Sequence, residues 1–85
     1  MDLIFINTCI ACPEQYNVLD SNGQQVAYVR LRYGKLKATV PDVGGTVVYA
    51  KEFEDSLKGI FDNNQERLDH LNSIAKVLRG VSFII

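Results

Sequence analysis

The stretch from Gln24 to Val40 constrains this chain most, because apolar and polar side chains alternate there through two successive runs. Ala27, Val29, Leu31 and Tyr33 alternate with Tyr28, Arg30 and Arg32. After Gly34-Lys35, Leu36, Ala38 and Val40 alternate with Lys37 and Thr39. Successive side chains of a strand point to opposite faces, so this pattern describes two half-buried strands. Joined by a tight turn, they make a hairpin with one apolar side and one cationic side. Gly34-Lys35 suits a type II′ turn, with glycine in the first central position. Tyr33 then faces Leu36, Arg32 faces Lys37, Leu31 faces Ala38 and Arg30 faces Thr39. A turn at Tyr33-Gly34 shifts the pairs but keeps their parity, so the same side chains stay on the same faces.

Elements of the same kind flank this hairpin. Residues 2 to 8 read as a strand, 9 to 14 as a break centred on Pro13, and Tyr16 to Asp20 as a second strand. Ser21-Asn22-Gly23 is a hairpin turn. A two-residue type I′ turn at Asn22-Gly23 puts Tyr16, Val18, Ala27 and Val29 on one face. A three-residue loop ending at Gly23 with a bulge puts Leu19 there instead. Pro41 ends the fourth strand, 42 to 45 turn, and Thr46 to Ala50 form a fifth strand.

Helical spacing follows. Phe53, Leu57, Ile60 and Phe61 suit a short amphipathic helix or a packed loop. Asp62 with Gln65, or Asn63 with Glu66, makes a capping box for a main helix over 63 to 79. Its apolar positions are Leu68, Leu71, Ala75 and Leu78, with Ile74 beside them. Lys76 and Arg79 suit the last turn, and Gly80 the C′ position. The predicted fold class is α+β. Residues 1–85 form a single domain, an antiparallel β-meander of four to five strands with the helix packed on its apolar face. The apolar end, 81 to 85, needs cover. It forms a strand, for instance against residues 2 to 7, or it builds a homo-oligomer through Val81, Phe83 and Ile85.

Composition narrows the function. The 85 residues carry a formal net charge of −1, which argues against a general nucleic-acid binder. No run approaches the ~18 apolar residues of a membrane span. The start lacks a positive n-region and reads as a strand, so a cytoplasmic chain with no membrane role is expected. Charge is nonetheless local. Residues 28 to 40 hold Arg30, Arg32, Lys35 and Lys37 and no acid, whereas Glu52, Glu54, Asp55, Asp62, Glu66 and Asp69 crowd the next segment.

The basic face is the first candidate site. Arg30, Arg32 and Lys37 converge on adjacent strands, with Lys35 at the turn and Tyr28 nearby. Arginines grip phosphate or carboxylate bidentately, and tyrosine stacks on a base. Two plainer readings compete: a solvated face whose cations discourage edge-to-edge aggregation, and pairing with the chain's own acids at 52 to 55. The second candidate is Cys9 with Cys12, a CxxC redox pair or half of a zinc site. The segment after Pro13 is a poor helix, no second cysteine pair exists and His70 is the only histidine. Two small buried hydrophobes is the competing reading. His70 sits one turn after Glu66, where an i,i+4 contact accounts for it. Gly44-Gly45 lacks the lysine of a phosphate loop. No catalytic constellation is present, so a non-enzymatic protein without a cofactor is expected.

Ala11-Cys12-Pro13-Glu14-Gln15-Tyr16-Asn17-Val18 and the run from Asn22 to Gly34 resemble a family of short uncharacterised proteins encoded by phages and mobile elements of gut bacteria. The resemblance covers residues ~11 to 50, more loosely the acidic segment and helix. It implies a phage-type accessory protein inside a bacterial cell, an inhibitor of host defence that binds a host protein or sequesters an anionic, nucleotide-like small molecule. Tyr28, Arg30, Arg32, Lys35 and Lys37 are the expected contact residues.

Overall fold

The computed structural model describes residues 2–9 and 13–80. Strands β1 (Ile4–Cys9), β2 (Glu14–Leu19), β3 (Gln25–Arg32), β4 (Lys35–Val40) and β5 (Thr46–Glu52) precede one helix, α1 (Asn64–Gly80). The strands lie in sequence order, each antiparallel to its neighbour. The fold is therefore α+β, a five-stranded meander with a C-terminal helix, as the alternation and the helical spacing predict. β1 and β5 are its edges. The expected cover for 81 to 85, and with it Val81, Phe83 and Ile85, lies outside the described residues.

Alternation explains the layering. Tyr16, Val18, Ala27, Val29, Leu31, Leu36 and Ala38 form one buried sheet face, against which Phe61, Ile74 and Leu78 pack. Leu31, Leu36, Ile74 and Leu78 are fully shielded, each contributing roughly 1.5–3 kcal/mol of transfer free energy. The other face of the sheet has no helix over it among the described residues.

Both hairpin turns differ from the favoured expectation. Between β2 and β3 the loop holds three residues, 21 to 23. Gly23 donates to Asp20 O at 3.0 Å, and Asp20 N to Gln24 O at 2.9 Å. Asp20 Oδ1 also accepts from Asn22 N and Gln24 N, which favours this wider loop over a type I′ turn. The pairing then shifts at Val18/Leu19, so that Val18 still meets Ala27 and Tyr16 meets Val29. A bulge thus restores the face that the two-residue turn predicts, and Leu19 does not replace it.

Between β3 and β4 the turn is Tyr33-Gly34, both at positive φ (53° and 71°). Arg30 faces Lys37, Leu31 faces Leu36 and Arg32 faces Lys35. The type II′ pairing is therefore replaced by its alternative. Long-range contacts decide it: Gly34 N donates to Lys58 O at 2.8 Å, and Phe53 N donates to Gly34 O at 2.7 Å. A Cβ at position 34 would lie 2.5 Å from Asp55 O, so only glycine fits. Tyr33 consequently leaves the apolar face and is 62% exposed at the hairpin tip.

Residues 53 to 63 form a packed loop and no helix. Their backbone groups bond outward instead, Gly59 O accepting from Glu14 N at 2.7 Å. Phe53 and Phe61 pack inward edge to face, but Leu57 and Ile60 point out, against expectation. At the start of α1, Asn63 Oδ1 accepts from Glu66 N at 2.8 Å and Glu66 Oε1 from Asp62 N at 2.9 Å, so the second of the two capping pairs operates. The inward stripe runs through Arg67, Leu71, Ile74, Ala75 and Leu78. Leu68, expected inside, is 54% exposed. Gly80 is the last helical residue rather than C′.

Candidate anion-binding face

The register builds the site row by row on the helix-free face. Tyr28 lies opposite Thr39, Arg30 opposite Lys37, and Arg32 opposite Lys35. Directly opposed residues share a face, and successive rows stand about 7 Å apart along the strands. The expected contact residues Tyr28, Arg30, Arg32, Lys35 and Lys37 are therefore brought together. Arg30, Arg32, Lys35 and Lys37 line one shallow hollow with Tyr33. Tyr33 is the residue the alternation misplaced; its contribution arises only because the turn ejects it. Arg32 Nη2 donates to the Tyr33 hydroxyl at 3.1 Å, and its guanidinium lies 4.6 Å from the ring centroid. Tyr28 is tied down too, its hydroxyl donating to Gln15 Oε1.

Edge protection and internal pairing do not account for these cations, and a solvated face is the plain reading that stands. Protection of sheet edges needs charge on edge strands, whereas Arg30, Arg32, Lys35 and Lys37 occupy β3 and β4, the inner strands. Pairing with the acids at 52 to 55 is not what the structure shows. Glu52 lies opposite Lys35 in register, yet among the described residues no carboxylate lies within ion-pair distance of Arg30, Arg32, Lys35 or Lys37. Two like-charged pairs face each other directly, an arrangement that destabilises a sheet.

The remaining polar chemistry is internal. Glu14, only 1% exposed, receives Arg67 Nε at 2.6 Å and Nη2 at 3.1 Å, Phe61 N at 3.2 Å, and the Tyr16 hydroxyl. Burial pushes the Glu14 carboxyl up, but the hydrogen bonds from Arg67, Tyr16 and Phe61 outweigh it and hold the group below its usual range. Burial, then the Glu14 carboxylate, pushes Tyr16 up to about 12. Among the described residues no buried side-chain polar atom lacks a partner. The sequence reading missed this node although two signals mark it. Glu14 has the inward parity of Tyr16 and Val18, and Arg67 lies four residues before Leu71 and seven before Ile74. A second internal cation, Lys58, bridges Asp62 at 2.8 Å and Glu66 at 3.0 Å, pinning the loop to the start of α1. Those bonds raise its pKa against the opposing effect of burial.

His70 does not rest on Glu66. Its ring stacks on Phe61 at 5.5 Å and meets Phe53 edge-on at 5.2 Å, which makes it a packing residue. Cys9 ends β1, its N–H donating to Asn7 Oδ1 at 2.9 Å. Cys12, the other half of the CxxC candidate, lies outside the described residues. Among the described residues no three His, Cys, Asp or Glu side chains are grouped to hold a metal, and no helix is long and apolar enough to cross a membrane. No protein-family model matches the chain, and no curated protein or solved structure matches it.

Proposed function

We propose that this protein is a non-enzymatic binder that captures an anionic group on the helix-free face of its sheet, with Arg30, Arg32, Lys35 and Lys37 as the contacts and Tyr28 beside them. The observation that carries this reading is the pair of like-charged rows on inner strands, Arg30 opposite Lys37 and Arg32 opposite Lys35, none of them ion-paired among the described residues. An arrangement that costs stability and protects no edge is accounted for by an external anion. The resemblance of residues ~11 to 50 to phage and mobile-element proteins supports the wider role: an accessory inhibitor in the host cytoplasm, acting on a host protein or a small anionic ligand.

Retention on a phosphate-bearing cation-exchange resin tests the face directly. A chain of formal net charge −1 is expected to bind such a resin at low salt only through a concentrated basic patch, and to elute as salt rises. Arg30→Glu with Arg32→Glu is expected to abolish retention. Lys51→Glu with Lys76→Glu changes net charge equally but leaves the face intact, and is expected to be retained. Equal behaviour of the two double variants would sink the proposal.

A further inference from the structure

We infer that the anion is a dinucleotide: two bases joined through phosphate, lying along the β3–β4 hairpin. This deepens the anion-binding reading and rests on it. Two hollows sit end to end along β3 and β4, and a third, lined by Pro13, Gln15, Arg30, Arg32, Tyr33 and Leu57, opens beside them toward β2. Of the end-to-end pair, the hollow toward the hairpin tip is lined by Arg30, Arg32, Tyr33, Lys35 and Lys37. The other is lined by Tyr28, Arg30, Lys37, Thr39, Val43 and Gly44. Arg30 and Lys37 are common to both, and each hollow has one tyrosine. The order along the hairpin is thus ring, cation pair, cation pair, ring.

That order matches a ligand with a planar group at each end and phosphates between. Tyrosine offers a stacking surface to any base, and paired cations hold phosphate oxygens. Both rings are held in advance, Tyr33 by the Arg32 guanidinium and Tyr28 by Gln15, which lowers the ordering cost of binding. An acidic peptide would use the cations and leave the tyrosines idle. A mononucleotide would fill one hollow. A long nucleic-acid strand would run into a carboxylate past the Thr39 end, where Asp42 lies, its carbonyl oxygen holding the Thr39 hydroxyl at 2.9 Å. Glu52, opposite Lys35 on β5, bounds the face laterally. Like charge at these two places disfavours a strand that continues past Thr39 or across β5.

The test is equilibrium titration of the intact chain with 5′-phosphorylated linear dinucleotides of adenosine and of guanosine, with AMP and GMP, with inorganic pyrophosphate, and with a hexaglutamate peptide. At least one dinucleotide is expected to bind about tenfold or more tightly than its mononucleotide and than pyrophosphate. Tyr28→Leu and Tyr33→Asn (asparagine tolerates the positive φ) are each expected to weaken dinucleotide binding about fivefold or more, leaving pyrophosphate binding unchanged. Tyr28→Phe keeps the ring and is expected to retain the affinity, which separates stacking from a loss of fold. Mononucleotide or pyrophosphate binding as tight as the dinucleotides, or tighter binding of hexaglutamate, overturns the dinucleotide and leaves the anion-binding face standing. Resin retention with no dinucleotide binding does the same. Loss of both resin retention and all titrations overturns both.

Discussion

The two places where this protein concentrates charge solve opposite problems. At Glu14, a carboxylate is taken wholly out of water and met by a guanidinium, a phenol and a backbone N–H. On the outer sheet face, Arg30, Arg32, Lys35 and Lys37 are set side by side with no carboxylate in ion-pair reach among the described residues. The buried node joins β2, the loop before the helix, and α1, so its charge is neutralised within the fold. The face leaves cationic charge uncompensated where solvent and a ligand can reach it. Charge that is fully partnered serves stability, whereas the aligned and unpartnered charge of the open face is what the proposed anion binding rests on.

Breaking the node is expected to have the largest effect. Arg67→Ala leaves the Glu14 carboxylate buried without its cation and should cost about 3 kcal/mol or more in denaturant unfolding, since removing one partner of a buried pair is far costlier than removing a surface pair. A loss below ~1 kcal/mol would mean that Glu14 is reached by water. Next comes the hairpin tip that sets the rows of the face. Gly34→Ala forces a Cβ against Asp55 O and Ser56 Cα at positive φ, and should cost roughly 2 kcal/mol by the same measurement. An unchanged midpoint would show that the tip and the 53–58 segment separate freely.

Acid titration sharpens the contrast further. Glu14 is held below its ordinary range in the folded state, so the native protein binds fewer protons there than the unfolded chain. Its stabilising contribution is present above the ordinary carboxylate value and is lost as the pH falls through the lowered folded value. Unfolding midpoints measured stepwise from neutral pH into acid should therefore drop more steeply for the native sequence than for Glu14→Gln. Parallel curves would remove the node from the acid response. The smallest effect on stability is expected at the face. Arg30→Glu with Arg32→Glu replaces two like-charged pairs with opposite-charged ones, so stability should stay within about 0.5 kcal/mol or rise slightly. A large loss would show that these arginines support the fold after all.

Much of the architecture is legible from residue types because alternation is a local property. The faces of β2, β3 and β4 survive both turn corrections, since a shift of two residues keeps parity and a bulge at Val18/Leu19 restores it. The grouping of Arg30, Arg32 and Lys37 is legible for the same reason. Less legible is the helix stripe. Hydrophobicity alone selects Leu68, whereas the fold turns Arg67 inward because a carboxylate waits there. The 53–61 segment has helical spacing, but its backbone bonds to Gly34 and Glu14 outcompete helix formation.

Residue order alone therefore determines the meander, the capped helix and the existence of a cationic face, because period, turn residues and capping act over a few neighbouring positions. Tertiary structure alone decides that the tip is Tyr33-Gly34, that Arg30 stands opposite Lys37, that Tyr33 joins the site, and that Glu14 meets Arg67. Each of these depends on groups far apart in the chain, such as Glu14 and Arg67 at a sequence separation of 53, brought together only when the loop and helix close over the sheet.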